Sequence, residues 1–166
     1  VPFIEQIDKL YRKLTPKYYR KQYNRVSSNP GYRIGKTAFT TVTVNRNFRT
    51  ALHIDDGDYK EGFGNLTVLE RGKYHGGYTV FPQFGIGVDA RGGDFLSMDV
   101  HQWHSNTPLY ETDSDKKYNA KLEDIFQDNP EVGIAGLYKK YTRLSFVCYA
   151  REKIDECPKV SSLKKN

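Results

Sequence analysis

A mostly β, α+β fold, with a double-stranded β-helix (jelly-roll) core braced by amino-terminal helices, is what the sequence predicts, and three observations carry that prediction. Apolar residues at helical spacing are confined to the start of the chain, at Phe3, Ile4, Ile7, Leu10, Tyr11 and Leu14. Short apolar runs punctuated by the glycine pairs Gly76-Gly77 and Gly92-Gly93 follow, which is the pattern of a meander of short strands. Between and beyond those turns, His53, Asp55 and His104 sit on runs with strand alternation, the layout of a site carried by a two-sheeted jelly-roll.

Taken in order, residues 1–35 read as helices and a closing loop. Pro16 ends the first helix and opens a second through Val26, and the cluster from Ser27 to Gly35 is a loop. The apolar stripe faces the sheet, while Lys9, Arg12, Lys13, Lys17, Arg20, Lys21 and Arg25 form a basic outer face, either simply solvated or in reach of phosphate. Residues 36–110 and 141–152 supply the jelly-roll core, with one strand expected from Asn45 to Asp55 and another from Asp94 to His104. Residues 111–140 break the strand pattern and read as an insertion: Asp113 to Lys117 as a polar loop, Ala120 to Phe126 as a short helix, and Gly133 to Gly136 as a hinge. The lysine-rich tail Lys159 to Asn166 is expected to fray.

The 166 residues are therefore expected to form one domain, 1–166, and a monomer. The opening on Val1 instead of methionine predicts a domain cut from a longer protein. No apolar run approaches a bilayer span and no signal-peptide pattern opens the chain. Cys148 and Cys157 form neither a disulfide framework nor a Cys-x-x-Cys zinc site, which points to a reducing intracellular compartment. The net charge of +6 suits an anionic partner, and thirteen tyrosines offer stacking platforms besides serving as sheet residues.

The chemistry lies in the histidines and one aspartate. In an extended strand, residues two apart share a face, so His53 and Asp55 project together. His104 shares the phase of Leu96, Met98 and Val100, whereas His101 and Asp99 fall on the other face. Two imidazoles and one carboxylate leave three adjacent positions of an octahedral Fe(II) open, enough for a bidentate co-substrate and O2. Arg143 and Ser145 offer a tether for a dicarboxylate; Asn45 and Asn47 share the ligand phase and either hydrogen-bond the same co-substrate or satisfy backbone groups, as buried strand asparagines often do. His75, beside its glycine pair, reads as exposed.

Four segments, Thr43 to Asp55, Gly76 to Pro82, His104 to Pro108 and Thr142 to Tyr149, carry a family resemblance. The chain resembles the 2-oxoglutarate- and Fe(II)-dependent dioxygenases with a cupin-like core, and among them the branch oxidising methyl groups on DNA pyrimidines, the ten-eleven translocation (TET) and base-J-binding protein (JBP) types. The resemblance implies Fe(II) on His53, Asp55 and His104, 2-oxoglutarate on Arg143 and Ser145, and a flipped base stacked on Tyr149. Arg151 continues the Tyr149 face toward the base edge or a phosphate, and Asp58 stands where the family places a polar residue that reads the pyrimidine. It implies 5-methylcytosine or thymine in DNA as substrate, and a nucleus or other DNA-containing compartment. The chain departs from animal TET proteins in lacking their cysteine-rich zinc domain, and ascorbate, used by an algal branch in place of 2-oxoglutarate, is an alternative co-substrate. Two rival functions are a protein or peptide hydroxylase of the same fold, which has no need of a base platform, and a non-catalytic nucleic-acid-binding module.

Overall fold

The computed structural model describes residues 2–123 and 139–158. Helices α1 (Pro2–Leu14) and α2 (Pro16–Ser27) lead the chain. Among the described residues the strands are β1 (Thr41–Arg46), β2 (Gly64–Arg71), β3 (Thr79–Phe81), β4 (Ile86–Val88), β5 (Phe95–Met98), β6 (Ser105–Asn106) and β7 (Thr142–Tyr149), with helix α3 (Asp113–Asn119) before the last. They form two antiparallel sheets, one ordered β1-β7-β2-β5 and a smaller one ordered β4-β3-β6.

Helix boundaries follow from the sequence. Pro16 occupies the first turn of α2, where an N–H would have no partner, and it cannot continue α1. The buried part of the apolar stripe is short: Ile7 and Tyr11 pack with Ala38, Phe39 and Cys148, while Leu14 is exposed at the helix end. Phe3 meets Phe146 edge-on, with ring centroids 5.1 Å apart.

The helices therefore brace one face of the larger sheet, the face to which β7 contributes Phe146 and Cys148. Its other face carries Arg143, Ser145, Val147 and Tyr149, since side chains alternate along a strand. Register extends this face across the sheet. Val147 stands opposite Thr43 and Leu66, Ser145 opposite Asn45 and Val68, and Arg143 opposite Glu70. A second apolar cluster of Leu66, Val68 and Ala90, joined by Leu96 and Val147, lies on this side.

Several sequence expectations are corrected. The strands do not form a simple meander, because among neighbouring pairs only β3 and β4 are consecutive in the chain. The expected strand from Asn45 to Asp55 stops at Arg46, since Asn47 turns left-handed with φ 48°. Asn47 is thereby committed to β7: its side-chain oxygen accepts from Arg143 N–H at 2.7 Å, and its amide donates to the Tyr141 carbonyl at 3.2 Å. The expected strand from Asp94 to His104 also breaks, after Met98, into a turn closed by Gln102 N–H to the Asp99 carbonyl. Asp113 to Lys117, read as a loop, lies in α3, where Thr112 and Asp115 form a reciprocal capping box. Ala120 to Glu123, the described part of the expected helix over 120–126, is not helical; the remainder of that helix, the hinge over 133–136 and the tail over 159–166 lie outside the described residues.

Asn47→Ala removes both bonds and leaves a β-carbon in a left-handed conformation. We expect a loss of about 1–3 kcal/mol in urea unfolding; Asn47→Gly, which relieves only the backbone term, should lose less.

Candidate metal centre and cavity

Neither His53 nor His104 lies within a regular strand, yet their backbones meet in an isolated antiparallel bridge. His53 N–H donates to the His104 carbonyl at 3.0 Å, and His104 N–H to the His53 carbonyl at 2.9 Å. Asp55 N–H donates to the Val100 carbonyl at 3.0 Å, a further tie between the two segments that lies outside the bridge's register. Because the chain between His53 and Asp55 is extended, both side chains fall on the same side, and His104 joins them from the facing segment.

The ring geometry is repeated. His53 Nδ1 lies 2.8 Å from the Ala51 carbonyl and His104 Nδ1 lies 2.8 Å from the Gln102 carbonyl, in each case the residue two before. A carbonyl only accepts, so each Nδ1 carries the proton and each Nε2 presents a lone pair. Both lone pairs aim at the same carboxylate: His53 Nε2 is 3.4 Å from Asp55 Oδ1, and His104 Nε2 is 3.7 Å from Asp55 Oδ2. One ligand atom from each residue lies within 4.8 Å of the others.

Two lone pairs facing an anion repel one another unless a cation lies between them. Adjacent donors bound at about 2.1 Å around one octahedral ion stand about 3 Å apart, close to these separations. The three residues therefore fit a divalent metal of the iron type, and mixed nitrogen and oxygen donors suit it.

Beside the three residues is a cavity of about 430 Å³ lying between the two sheets. Of the residues singled out by sequence, Asn45, Ser145, Asp58, Tyr149 and Arg151 line it together with the three candidate ligands. Arg143 does not line it. It is buried two positions from Ser145 on the same face, with Nε and Nη2 lacking any hydrogen-bond partner among the described residues. Burial pulls its pKa below the ordinary arginine value. Buried guanidinium donors without acceptors are costly, and a carboxylate is the group that satisfies them bidentately, so Arg143 fits the far end of a 2-oxo dicarboxylate. Gly77, with φ 74°, allows the chain to pass this side chain: a β-carbon there would stand 3.3 Å from Arg143 Nε.

At the opposite end, backbone pairing joins the turn after Asp55 to the chain leaving β7. Tyr59 N–H donates to the Ala150 carbonyl at 2.9 Å and Glu152 N–H to the Gly57 carbonyl at 3.0 Å. Asp58 is buried there, and burial followed by the Asp55 charge pushes its pKa up to about 7 against the pull of Arg151. The Tyr149 hydroxyl shares a hydrogen bond with Thr43 at 3.2 Å, and the Arg151 guanidinium lies 5.4 Å from the Tyr149 ring centroid.

Sequence reasoning did not single out Thr43, Thr50, Thr79 or Asn106, which supply polar cavity wall from both sheets. Thr43 was legible through its phase with Asn45; Thr50 and Asn106, hydrogen-bonded to each other at 2.6 Å, had no such signal. Asn47 is spent on β7 and not on the cavity. His75 is exposed as expected, although its ring reaches buried Asp115 at 3.1 Å.

Two histidines and a carboxylate on one side of an ion, with a cavity on the other, define the class of mononuclear non-haem iron oxygenases. The sequence places the chain within that class. Residues 1–152 match the Tet_JBP family, described as the oxygenase domain of the 2OGFeDO superfamily, and the chain belongs to it. It is 33% identical over 150 residues to the bifunctional helicase and thymine dioxygenase JBP2 of Leishmania infantum, covering 90% of this chain and 11% of that protein. It is 32% identical over 142 residues to thymine dioxygenase JBP1 of Trypanosoma brucei brucei, covering 86% of this chain and 16% of that protein. The chain thus spans less than a fifth of either relative. Among solved structures, NgTET1 in complex with 5mC DNA shares the fold, with a TM-score of 0.58, 13% identity, and coverage of 89% of this chain and 48% of that one.

Metal titration of the purified protein followed by iron quantification should show loss of binding in His53→Ala, Asp55→Ala and His104→Ala, and binding close to parental in His101→Ala; full iron occupancy in His104→Ala would remove this ligand assignment. A second expectation concerns pH. A buried acid whose folded pKa lies near 7 instead of about 3.9 holds more protons folded than unfolded, so metal-free stability should fall as pH rises through that window, by on the order of a few kcal/mol. Asp58→Asn should flatten that fall in urea unfolding between pH 4 and pH 8.

Proposed function

We propose that this domain is an Fe(II)- and 2-oxoglutarate-dependent dioxygenase that oxidises the 5-methyl group of a pyrimidine turned out of DNA, on a double-stranded β-helix core. The observation that carries the reading is that one cavity holds the His53, Asp55 and His104 set together with Asp58, Tyr149 and Arg151, groups suited to a base. Thymine is the favoured base over 5-methylcytosine: the relatives at 33% and 32% identity are named thymine dioxygenases, while NgTET1, bound to 5mC DNA, shares 13%. The protein then works in a reducing compartment that contains DNA. No helix among the described residues is long and apolar enough to cross a membrane.

Iron with 2-oxoglutarate and O2 supplies the oxidising power for a methyl C–H bond, and the remaining tasks fall to the chain. His53, Asp55 and His104 hold the metal on one side only. Arg143 takes the distal carboxylate with Nε and Nη2, and Ser145 and Asn45, directly paired across β7 and β1, line the approach. Extracting a base from the stack costs a few kcal/mol, of which stacking on Tyr149 can return about 1–3 kcal/mol. The Asp58 carboxyl can accept from thymine N3–H, and in its protonated form can also donate to O4. Arg151, exposed at the rim, is placed for a phosphate or the base edge.

The deciding experiment loads the protein anaerobically with Fe(II) and 2-oxoglutarate, adds O2 and oligonucleotides containing thymine or 5-methylcytosine, and analyses the nucleosides by mass spectrometry. Oxidised thymine is expected. Arg143→Lys, which cannot reproduce the guanidinium fork, should raise the 2-oxoglutarate requirement at least tenfold while keeping iron; unchanged dependence would point to another anchor or to ascorbate. Tyr149→Ala should lose base capture while keeping both iron and 2-oxoglutarate. If the parent oxidises no DNA and hydroxylates a peptide, or if Tyr149→Ala oxidises DNA as well as the parent, the DNA assignment fails.

A further inference from the structure

The backbone that carries Asp58 is held from behind by a side chain that touches neither the candidate ligands nor the cavity. Pairing of residues 57 and 59 with 150 and 152 leaves the N–H and carbonyl of Asp58 pointing away from that ladder. Its N–H donates to the Asp55 carbonyl at 3.1 Å, closing the turn. Its carbonyl faces His101 Nε2 at 3.1 Å. On the other side of the same ring, Nδ1 lies 3.2 Å from Asp99 Oδ1.

Asp99 is an ionised acceptor. Its Oδ1 also takes the His101 backbone N–H at 3.0 Å, and its Oδ2 takes Gln102 Nε2 at 3.0 Å. Partial burial raises its pKa, but these donors outweigh it and hold the group below the usual carboxylate range. A carboxylate has no proton to give, and neither has a peptide carbonyl. Both ring contacts are therefore hydrogen bonds only when His101 carries a proton on each nitrogen. A ring with one N–H can satisfy one neighbour and must set a lone pair against the other.

We propose that His101, seated against Asp99 and donating from Nε2 to the Asp58 carbonyl, is a positioning residue that fixes the Asp58 backbone and so aims its carboxyl group at the base in the cavity. This rests on the reading of the cavity as a pyrimidine site. The clamp joins the turn of residues 99–102 to the turn of residues 55–58, and thus couples the segment that ends in His104 to the one that begins at Asp55. His101 touches neither metal nor substrate in this scheme. Its loss acts first on Asp58, because His53 and His104 are tied by their own pair of backbone bonds.

Two measurements test it. In metal-free protein labelled with nitrogen-15, Nε2 of His101 should show an N–H resonance, whereas an Nε2 without a proton would overturn the clamp. In steady-state assays on thymine and 5-methylcytosine oligonucleotides, His101→Leu should raise KM for DNA about tenfold, the scale of one charge-assisted hydrogen bond, and narrow the preference between the two bases. Iron content and 2-oxoglutarate affinity should stay at parental values, and His101→Gln, which keeps a donor for the Asp58 carbonyl, should recover most of the loss. Parental KM and base preference in His101→Leu, or equal loss of iron, co-substrate and DNA affinity, would overturn it. A parental protein that oxidises neither base defeats the dioxygenase reading instead, and the ring spectrum, which needs no turnover, tells the two failures apart.

Discussion

The His53 and His104 backbones exchange both of their hydrogen bonds, at 3.0 and 2.9 Å, and this two-bond bridge is the constraint on which the candidate site depends. It joins two irregular segments that belong to neither sheet, one leaving β1 and the other lying between β5 and β6. Beyond it, Asn106 N–H of β6 donates to the Thr50 carbonyl at 3.2 Å, a second tie between the two segments. The bridge sets their register at one residue pair, and the ring bonds to Ala51 and Gln102 then fix each imidazole relative to its own backbone. Three side chains converge without any of them having to reach. Holding ligands by short backbone ties keeps their rotamers few and lowers the entropy lost when an ion is bound.

Charge is arranged by burial around that bridge. Asp55 and Asp58 are close enough for the charge on one to raise the other, and in metal-free protein burial and that charge hold the Asp58 pKa up to about 7. Arg151 offsets part of that rise from the rim. A cation on Asp55 weakens the repulsion and lets Asp58 ionise at lower pH, so the metal and the base-reading group are linked through electrostatics as well as through the turn they share.

How much of this could be read from the sequence differs by residue. β7 was fully legible: strict alternation over Thr142 to Tyr149 put Arg143, Ser145, Val147 and Tyr149 on one face, and the register keeps them there. His53 and Asp55 were found through strand phase although no strand holds them, because alternation needs only an extended chain and not a paired one. For His104 the same argument picked the residue by a path the chain does not follow, since a turn at residues 99–102 resets the phase after Met98. The positive φ at Asn47 was hidden because asparagine only favours that region and does not require it. The cap of α3 was visible in Thr112 and Asp115, three residues apart, but the polar composition of the helix itself hid it. His101 was placed by phase on the face opposite His104, with no partner named for it. Its partners lie in another turn, and contacts between turns leave no periodic trace.

The deep end of the site shows why Arg143 is left with unused donors. Its cross-strand neighbour is Glu70, which by register is the carboxylate best placed to neutralise it. Glu70 is instead hydrogen-bonded by the Tyr74 hydroxyl, whose pKa burial and Glu70 together push up to about 12, so that it stays a donor. Arg91, stacked 4.8 Å from the Tyr74 ring centroid, adds a second positive charge nearby. The Glu70 carboxylate is thus engaged by Tyr74 and Arg91 is paired with Asp89, so neither anion gives Arg143 Nε or Nη2 an acceptor. A buried guanidinium whose Nε and Nη2 lack acceptors among the described residues binds an incoming carboxylate more strongly than one with both donors already engaged, because no existing bond has to be broken first.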